Sequence, residues 1–91
     1  PEEEPLIDKP DFKIIPNPAN GQSSLFYTLE VGRKGTILIF NSVGEVVQRY
    51  SLNPTEKQLL ISTEHLRQGV YFYKIVVDGS LVHKDKLVVI R

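Results

Sequence analysis

The chain has 91 residues, enough for one domain with a thin core. Lys plus Arg and Asp plus Glu number 11 each, a balance that argues against a dedicated nucleic-acid binder. There is no cysteine, which removes disulfides and thiolate metal sites, and no apolar run approaches the roughly 20 residues of a membrane-spanning helix.

The charge is uneven along the chain. Residues 1–11 carry Glu2, Glu3, Glu4, Asp8 and Asp11 against Lys9 alone, with Pro1, Pro5 and Pro10 among them. Proline has no amide hydrogen and fixes its own φ, so this stretch reads as an extended, flexible acidic linker, with ordered structure starting at Phe12. No segment reads as a signal peptide, and without an initiator methionine the chain reads as a piece of something longer.

From Phe12 onward, short β-type runs alternate with turn signals. FKII (Phe12–Ile15) is a first short strand that stops at Pro16. In PNPANG, Pro16 and Pro18 restrict the residues before them to extended geometry and end that strand sharply. SLFYTL (Ser24–Leu29) is rich in aromatic and β-branched residues, which suit a pleated, half-buried surface. GTILIF (Gly35–Phe40) is apolar on both faces and predicts a central strand. NSVGE (Asn41–Glu45), with Gly44, reads as a turn, and VVQRYSL (Val46–Leu52) as the next strand.

The stretch from Pro54 to Gly69 supports two readings. Thr55 and Gln58 have the spacing of a helix capping box, Leu59, Leu60 and Leu66 would share a helical face, and Gly69 would end the helix. Alternatively, QLLIS (Gln58–Ser62) is a strand followed by a tight turn. Ile61, Ser62 and Thr63 lean toward the second reading. VYFYKIVV (Val70–Val77) is the strongest strand pattern, and Asp78-Gly79 after it is a hairpin signal, because both central positions of a type I′ turn need positive φ. SLVHKDKLVVIR (Ser80–Arg91) closes the chain with a local basic excess. Seven strands at short spacing predict an all-β, immunoglobulin-like sandwich of about seven antiparallel strands over residues 12–91.

Little in the sequence points to catalysis. The two histidines are His65, in a predicted turn, and His83, expected to face solvent on the last strand. No serine sits in a G-x-S-x-G elbow. Glu2, Glu3 and Glu4 are adjacent but lie on the linker, and no calcium-loop pattern occurs. No enzyme activity, metal or cofactor is therefore expected. Tyr27, Tyr50 and Tyr73 are candidates for a sugar-binding platform, although strand tyrosines are ordinarily core residues. Leu66, Gly69 and Tyr71, in LRQGVY, have the spacing of a tyrosine corner, whose ring packs inward while its hydroxyl bonds the backbone upstream. On that reading Tyr71→Ala costs about 3–5 kcal/mol in a denaturation experiment.

Three stretches, in order, resemble one known family: PNPANG (Pro16–Gly21), ILIFNSVGEVV (Ile37–Val47) and LRQGVYFYKIVVDGSLVHKDKLVVIR (Leu66–Arg91). The family is the C-terminal sorting domain of type IX (Por) secretion cargo in Bacteroidetes, and the resemblance spans Phe12 to Arg91. The matching residues are Pro16, Asn17, Pro18, Gly21, Gly44, Leu66, Gly69, Tyr71 and Gly79, with Lys86, Leu87, Val88 and Val89 in the closing segment. The run VVQRYSLNPTEKQ departs from the family's usually simpler strand after the turn, which leaves its pairing open.

The resemblance implies an immunoglobulin-like sandwich at the end of a larger cargo protein. It implies passage through the periplasm, then through the outer-membrane translocon to the cell surface or the medium. It also implies a sortase-like cysteine peptidase that cuts in the linker and attaches the cargo to a surface lipopolysaccharide. The expected recognition element is the last strand, with Lys84, Lys86, Leu87, Val88, Val89, Ile90 and Arg91. If that strand lies at a sheet edge, its unpaired amides are available to a receptor strand. Rival readings are a carbohydrate-binding or adhesive sandwich appended to a secreted enzyme, and an immunoglobulin-like spacer.

Overall fold

The computed structural model describes residues 12–91; the reading of residues 1–11 as a linker lies outside the described residues. The described residues form seven strands and no helix: β1 (Phe12–Ile15), β2 (Gln22–Tyr27), β3 (Gly35–Phe40), β4 (Val46–Leu52), β5 (Gln58–Ser62), β6 (Gly69–Val77) and β7 (Ser80–Val89). They make two antiparallel sheets, β1-β2-β5 and β4-β3-β6-β7. The fold class expected from the sequence is the one observed.

The core lies between the sheets. Leu25, Ile37, Ile39, Ile61, Ile75, Leu87 and Val89 are fully buried there. Burying a side chain of this kind stabilises the fold by about 1.5–3 kcal/mol, so a few of them account for much of a small domain's margin. β3 is apolar on both faces because it is flanked on both sides, by β4 and β6. Its Ile37 and Ile39 point into the core, while Leu38 and Phe40 are half-buried on the outside. Gly35 opens β3 where a Cβ would come within 3.2 Å of Leu29 Cδ2 and Leu52 Cδ1, so a larger residue would have to push these two leucines aside by a few tenths of an ångström. The β6–β7 hairpin turns at Asp78 and Gly79 with φ of 51° and 83°, as the Asp-Gly pair predicts.

One local expectation needs adjustment, and one open choice is settled in favour of the strand and turn. β2 lies two residues earlier than its apolar run, at Gln22–Tyr27 rather than 24–29. Hydrogen-bonding partners decide this: Gln22 and Ser23 pair with Ser62 and Ile61 of β5, while Thr28 and Leu29 have no ladder partner. The helical alternative for the stretch from Pro54 to Gly69 is excluded. Asn53 Oδ1 accepts from Thr55 N and Thr55 Oγ1 at 2.9 Å each, a local turn that competes with a helical first turn. β5 then pairs with β2 and buries Ile61, and Leu66 N donates to Thr63 O in the tight turn that follows.

The connection from β1 to β2 positions the candidate site. The chain leaves the three-stranded sheet at Ile15, crosses to the far edge of the other sheet, and returns at Gln22. Ala19, fully buried, forms a parallel bridge to Val89 of β7 on the way. The Ile15–Pro16 and Asn17–Pro18 peptide bonds are cis.

Candidate functional site

β7 is the edge strand of the four-stranded sheet, paired only with β6 among the described strands. Alternation divides its closing half. Leu87 and Val89 point into the core and are fully buried, whereas Lys84, Lys86 and Ile90 are exposed and Val88 is half-exposed. A partner touching the folded domain meets the second set only.

The outer edge of this closing half is occupied from within the chain. Asn17 Oδ1 accepts from Val88 N at 2.9 Å, and Asn17 Nδ2 donates to Lys86 O at 2.8 Å. Ala19 continues the pairing: its N donates to Val88 O at 2.7 Å and its O accepts from Ile90 N at 2.8 Å. The amide of Lys86 donates to Asp85 Oδ1 at 2.8 Å. The expectation of unpaired amides for strand addition is therefore corrected over Lys86–Ile90. A carboxamide presents one acceptor and one donor, the pair an extended residue offers a neighbouring strand, so Asn17 substitutes for backbone where the prolines cannot donate.

Arg91 is also engaged. Its guanidinium donates to Thr63 O and Glu64 O at 2.9 Å and to Leu66 O, and its amide donates to Gln68 Oε1 at 3.2 Å. Three carbonyls of the β5–β6 loop thus converge on one cation, which fastens the end of the strand to that loop.

The other sequence-derived residues sit around this frame. Pro16 O accepts from Ser23 Oγ. Gly21 O accepts from Thr63 N at 2.9 Å, joining the same loop to the start of β2. Gly44 lies in the β3–β4 turn, where its amide donates to Asn41 O at 3.0 Å. Gly69 begins β6, and Gly79 forms the last hairpin turn. Tyr71 is buried and its hydroxyl donates to Arg67 O at 2.7 Å, with Leu66 buried beside the same loop, the geometry of a tyrosine corner.

His83 is not a solvent-facing residue. A bulge between Ile75 and Val76 lets β7 carry one extra residue before His83, which then shares the inward side with Asp85 and Leu87. Half-buried, it lies within hydrogen-bonding distance of Tyr73 Oη, 3.2 Å from Nε2, and its ring centroid is 5.8 Å from that of Phe12. The Tyr73 phenol is pushed up to about 12, chiefly by burial and secondarily by the negative charge of Asp85. His65 lies against the side chain of Gln48, which donates to Ser62 O at 2.7 Å. The two histidines sit on separate networks. Tyr27 and Tyr73 are buried and Tyr50 is half-buried, so the three do not make an exposed aromatic platform.

Sequence reasoning missed Ala19 and both clasps on the last strand. The buried alanine between Pro18 and Asn20 was the one local signal, but nothing in the pattern named its partner. It also missed the outward side of β6, where Phe72 and Lys74 face Lys86 and Lys84 across the ladder.

No curated protein matches the chain. A family model described as the secretion system C-terminal sorting domain matches residues 13–90, from the start of β1 to the end of β7. The chain belongs to the secretion system C-terminal sorting domain family, the sorting signals that send proteins of Bacteroidetes by type IX secretion through the outer membrane to the cell surface or the medium.

Proposed function

We propose that residues 12–91 act as a folded address for a cargo protein joined through residues 1–11, and that the machinery reads the outward side of β7. The cargo crosses the periplasm, and the domain then engages the type IX translocon. A sortase-like cysteine peptidase cuts in the linker and leaves the cargo attached at the surface. An acidic, proline-rich sequence suits that cleavage, because extended segments fit protease clefts. Of the residues assigned to recognition, Lys84, Lys86, Val88 and Ile90 make the contact. Leu87, Val89 and Arg91 hold the strand in place.

The observation that carries this reading is the double fastening of the last strand, by Asn17 and Ala19 along its edge and by Arg91 at its end. A strand held from two sides presents a fixed surface, as a signal read after folding requires. The pairing of the family's opening motif with its closing segment gives that motif a purpose.

The test is a fusion of residues 12–91 behind a periplasmic reporter in a type IX-competent cell. The expected result is reporter at the cell surface or in the medium. Retention in the periplasm would reject the sorting role and favour a spacer. With residues 1–11 restored, a cut within them is the expected sign of the peptidase; export of an uncut fusion would remove the cleavage step.

A further inference from the structure

We infer that the outer face of β6 and β7, centred on Phe72 and ringed by Lys74, Lys84 and Lys86, docks an acidic protein surface that sets carboxylates around an apolar side chain. This rests on the sorting role above and names the chemistry of the partner for that role.

The ladder places like charges together. Lys74 lies directly opposite Lys84, and Phe72 directly opposite Lys86. Directly opposed like charges weaken a sheet. Asp85 is the one carboxylate on the four strands of this sheet. It alternates inward opposite Tyr73, yet it is exposed at the β7 edge, borders the same hollow as Phe72, Lys74, Lys84 and Lys86, and accepts from Lys86 N, so three lysines stand there against a single acid. The ion pairs among the described residues, Arg33 with Glu30 and with Asp78, lie at the other end of β6. Arg49 adds a further cation in the same row, across Leu38 from Lys74. Part of this basic character is already arranged around aromatic carbon: the Lys74 ammonium sits 5.1 Å over the Phe40 ring.

The same face is apolar at its centre. Phe72 is 45% exposed, opposite half-buried Phe40, with Val70 and Val46 exposed beside them. An apolar centre with a charged rim is the anatomy of a protein interface. The outer face of the three-stranded sheet is the internal control. It exposes Ile15, Phe26 and Leu60, but Lys13 is its one charged strand position. The cations are therefore a property of one face, not of the surface at large.

The geometry and charge also select the kind of partner. The edge of β7 is closed over Lys86–Ile90, so contact there is face-on rather than by strand addition. The chain is neutral overall, so no long-range field draws it to an anionic membrane, and the cations of this face stand around exposed Phe72, which a flat layer of anionic headgroups would leave unmatched. Matched carboxylates around an apolar side chain satisfy both the lysines and Phe72.

The full chain is titrated with the peptide Glu-Asp-Leu-Phe-Glu-Asp and followed by backbone amide NMR. Shifts are expected at Phe72, Lys74, Lys84 and Lys86, and not at Lys13, Ser24 or Leu60; a peptide with lysines for the acids gives none. The double variant K74E/K84E keeps a like-charged pair across the ladder and is expected to bind about tenfold more weakly. Lys84→Glu alone places opposite charges across the strands. Its folding stability holds or rises while its binding falls, which separates docking from folding. No shifts at millimolar peptide, or equal shifts on both outer faces, would overturn the inference. So would binding to phosphatidylglycerol vesicles lost in K74E/K84E, because that assigns the face to lipid. In the export fusion, K74E/K84E lowers surface reporter while K13E does not. Failure of the parent fusion to export counts against the sorting role alone, and the peptide titration still decides the surface.

Discussion

The two halves of β7 have similar sequences and opposite fates. Ser80–Lys84 begins at the hairpin turn, and its Leu81 and Val82 are 52% and 48% exposed. In the closing half, Leu87 and Val89 are fully buried, Asn17 and Ala19 hold the edge, and Arg91 ties down the end. The same mix of cations and aliphatics therefore serves solvent in one half and the core in the other. Composition does not make the difference. The bulge at Ile75 and Val76 changes the phase of the strand between the halves, and the returning β1–β2 connection reaches only the second. A strand whose apolar residues are committed inward can offer a partner only its outward side chains.

Replacing Leu87 with alanine tests this contrast most severely. The side chain is fully buried between the sheets, so Leu87→Ala is expected to cost about 2–5 kcal/mol in urea denaturation. A loss below that range would mean that the closing half is not the anchored half. Asn17→Ala comes next, at about 1–3 kcal/mol, because it removes both side-chain bonds and leaves Val88 N and Lys86 O to find other partners. Hydrogen exchange gives the sharper readout: the Val88 amide should exchange faster, while that of Leu87, which lies on the ladder to β6, should not. Equal acceleration at both would mean that the clip holds the whole strand rather than its edge.

The boundary between the halves is where Tyr73, His83 and Asp85 meet. Tyr73 ionises more easily in the unfolded chain, near 10.0, than in the folded one, near 12. Its contribution to stability is therefore complete below pH 10 and is lost as pH rises toward about 12. Over that window, stability should fall more steeply in the parent than in Tyr73→Phe. Parallel curves would show that the phenol is not held neutral by its surroundings.

How far all this was legible depends on the range of the interaction. The all-β class, the Asp78-Gly79 turn and the central position of β3 follow from patterns a few residues long, and the structure has each of them. The start of β2 did not follow, because Gln22 and Ser23 are polar and join the sheet through backbone bonds to β5 alone. The inward side of His83 follows by alternation from Leu87 and Val89; what alternation does not mark is the bulge just before it, which puts Leu81 out of that phase and into solvent. The Asn17 clip was the least legible, since its partners lie 69 and 71 residues away and a parallel bridge leaves no alternation of its own. PNP announces a strand end; it does not announce where the next bond is made.

The smallest expected effect bears on the exposed half. Leu81 is 52% exposed beyond the bulge, opposite Val76, and Leu81→Ser removes a side chain that solvent already reaches. The expected change in stability is within about 0.5 kcal/mol. That near-neutrality is informative only against the cost at Leu87, because the two positions share residue type, strand and hairpin and differ in burial. If Leu81→Ser cost several kcal/mol instead, the hairpin half would be anchored by something other than core packing, and the division of β7 would have to be redrawn on backbone pairing rather than on which side chains face inward.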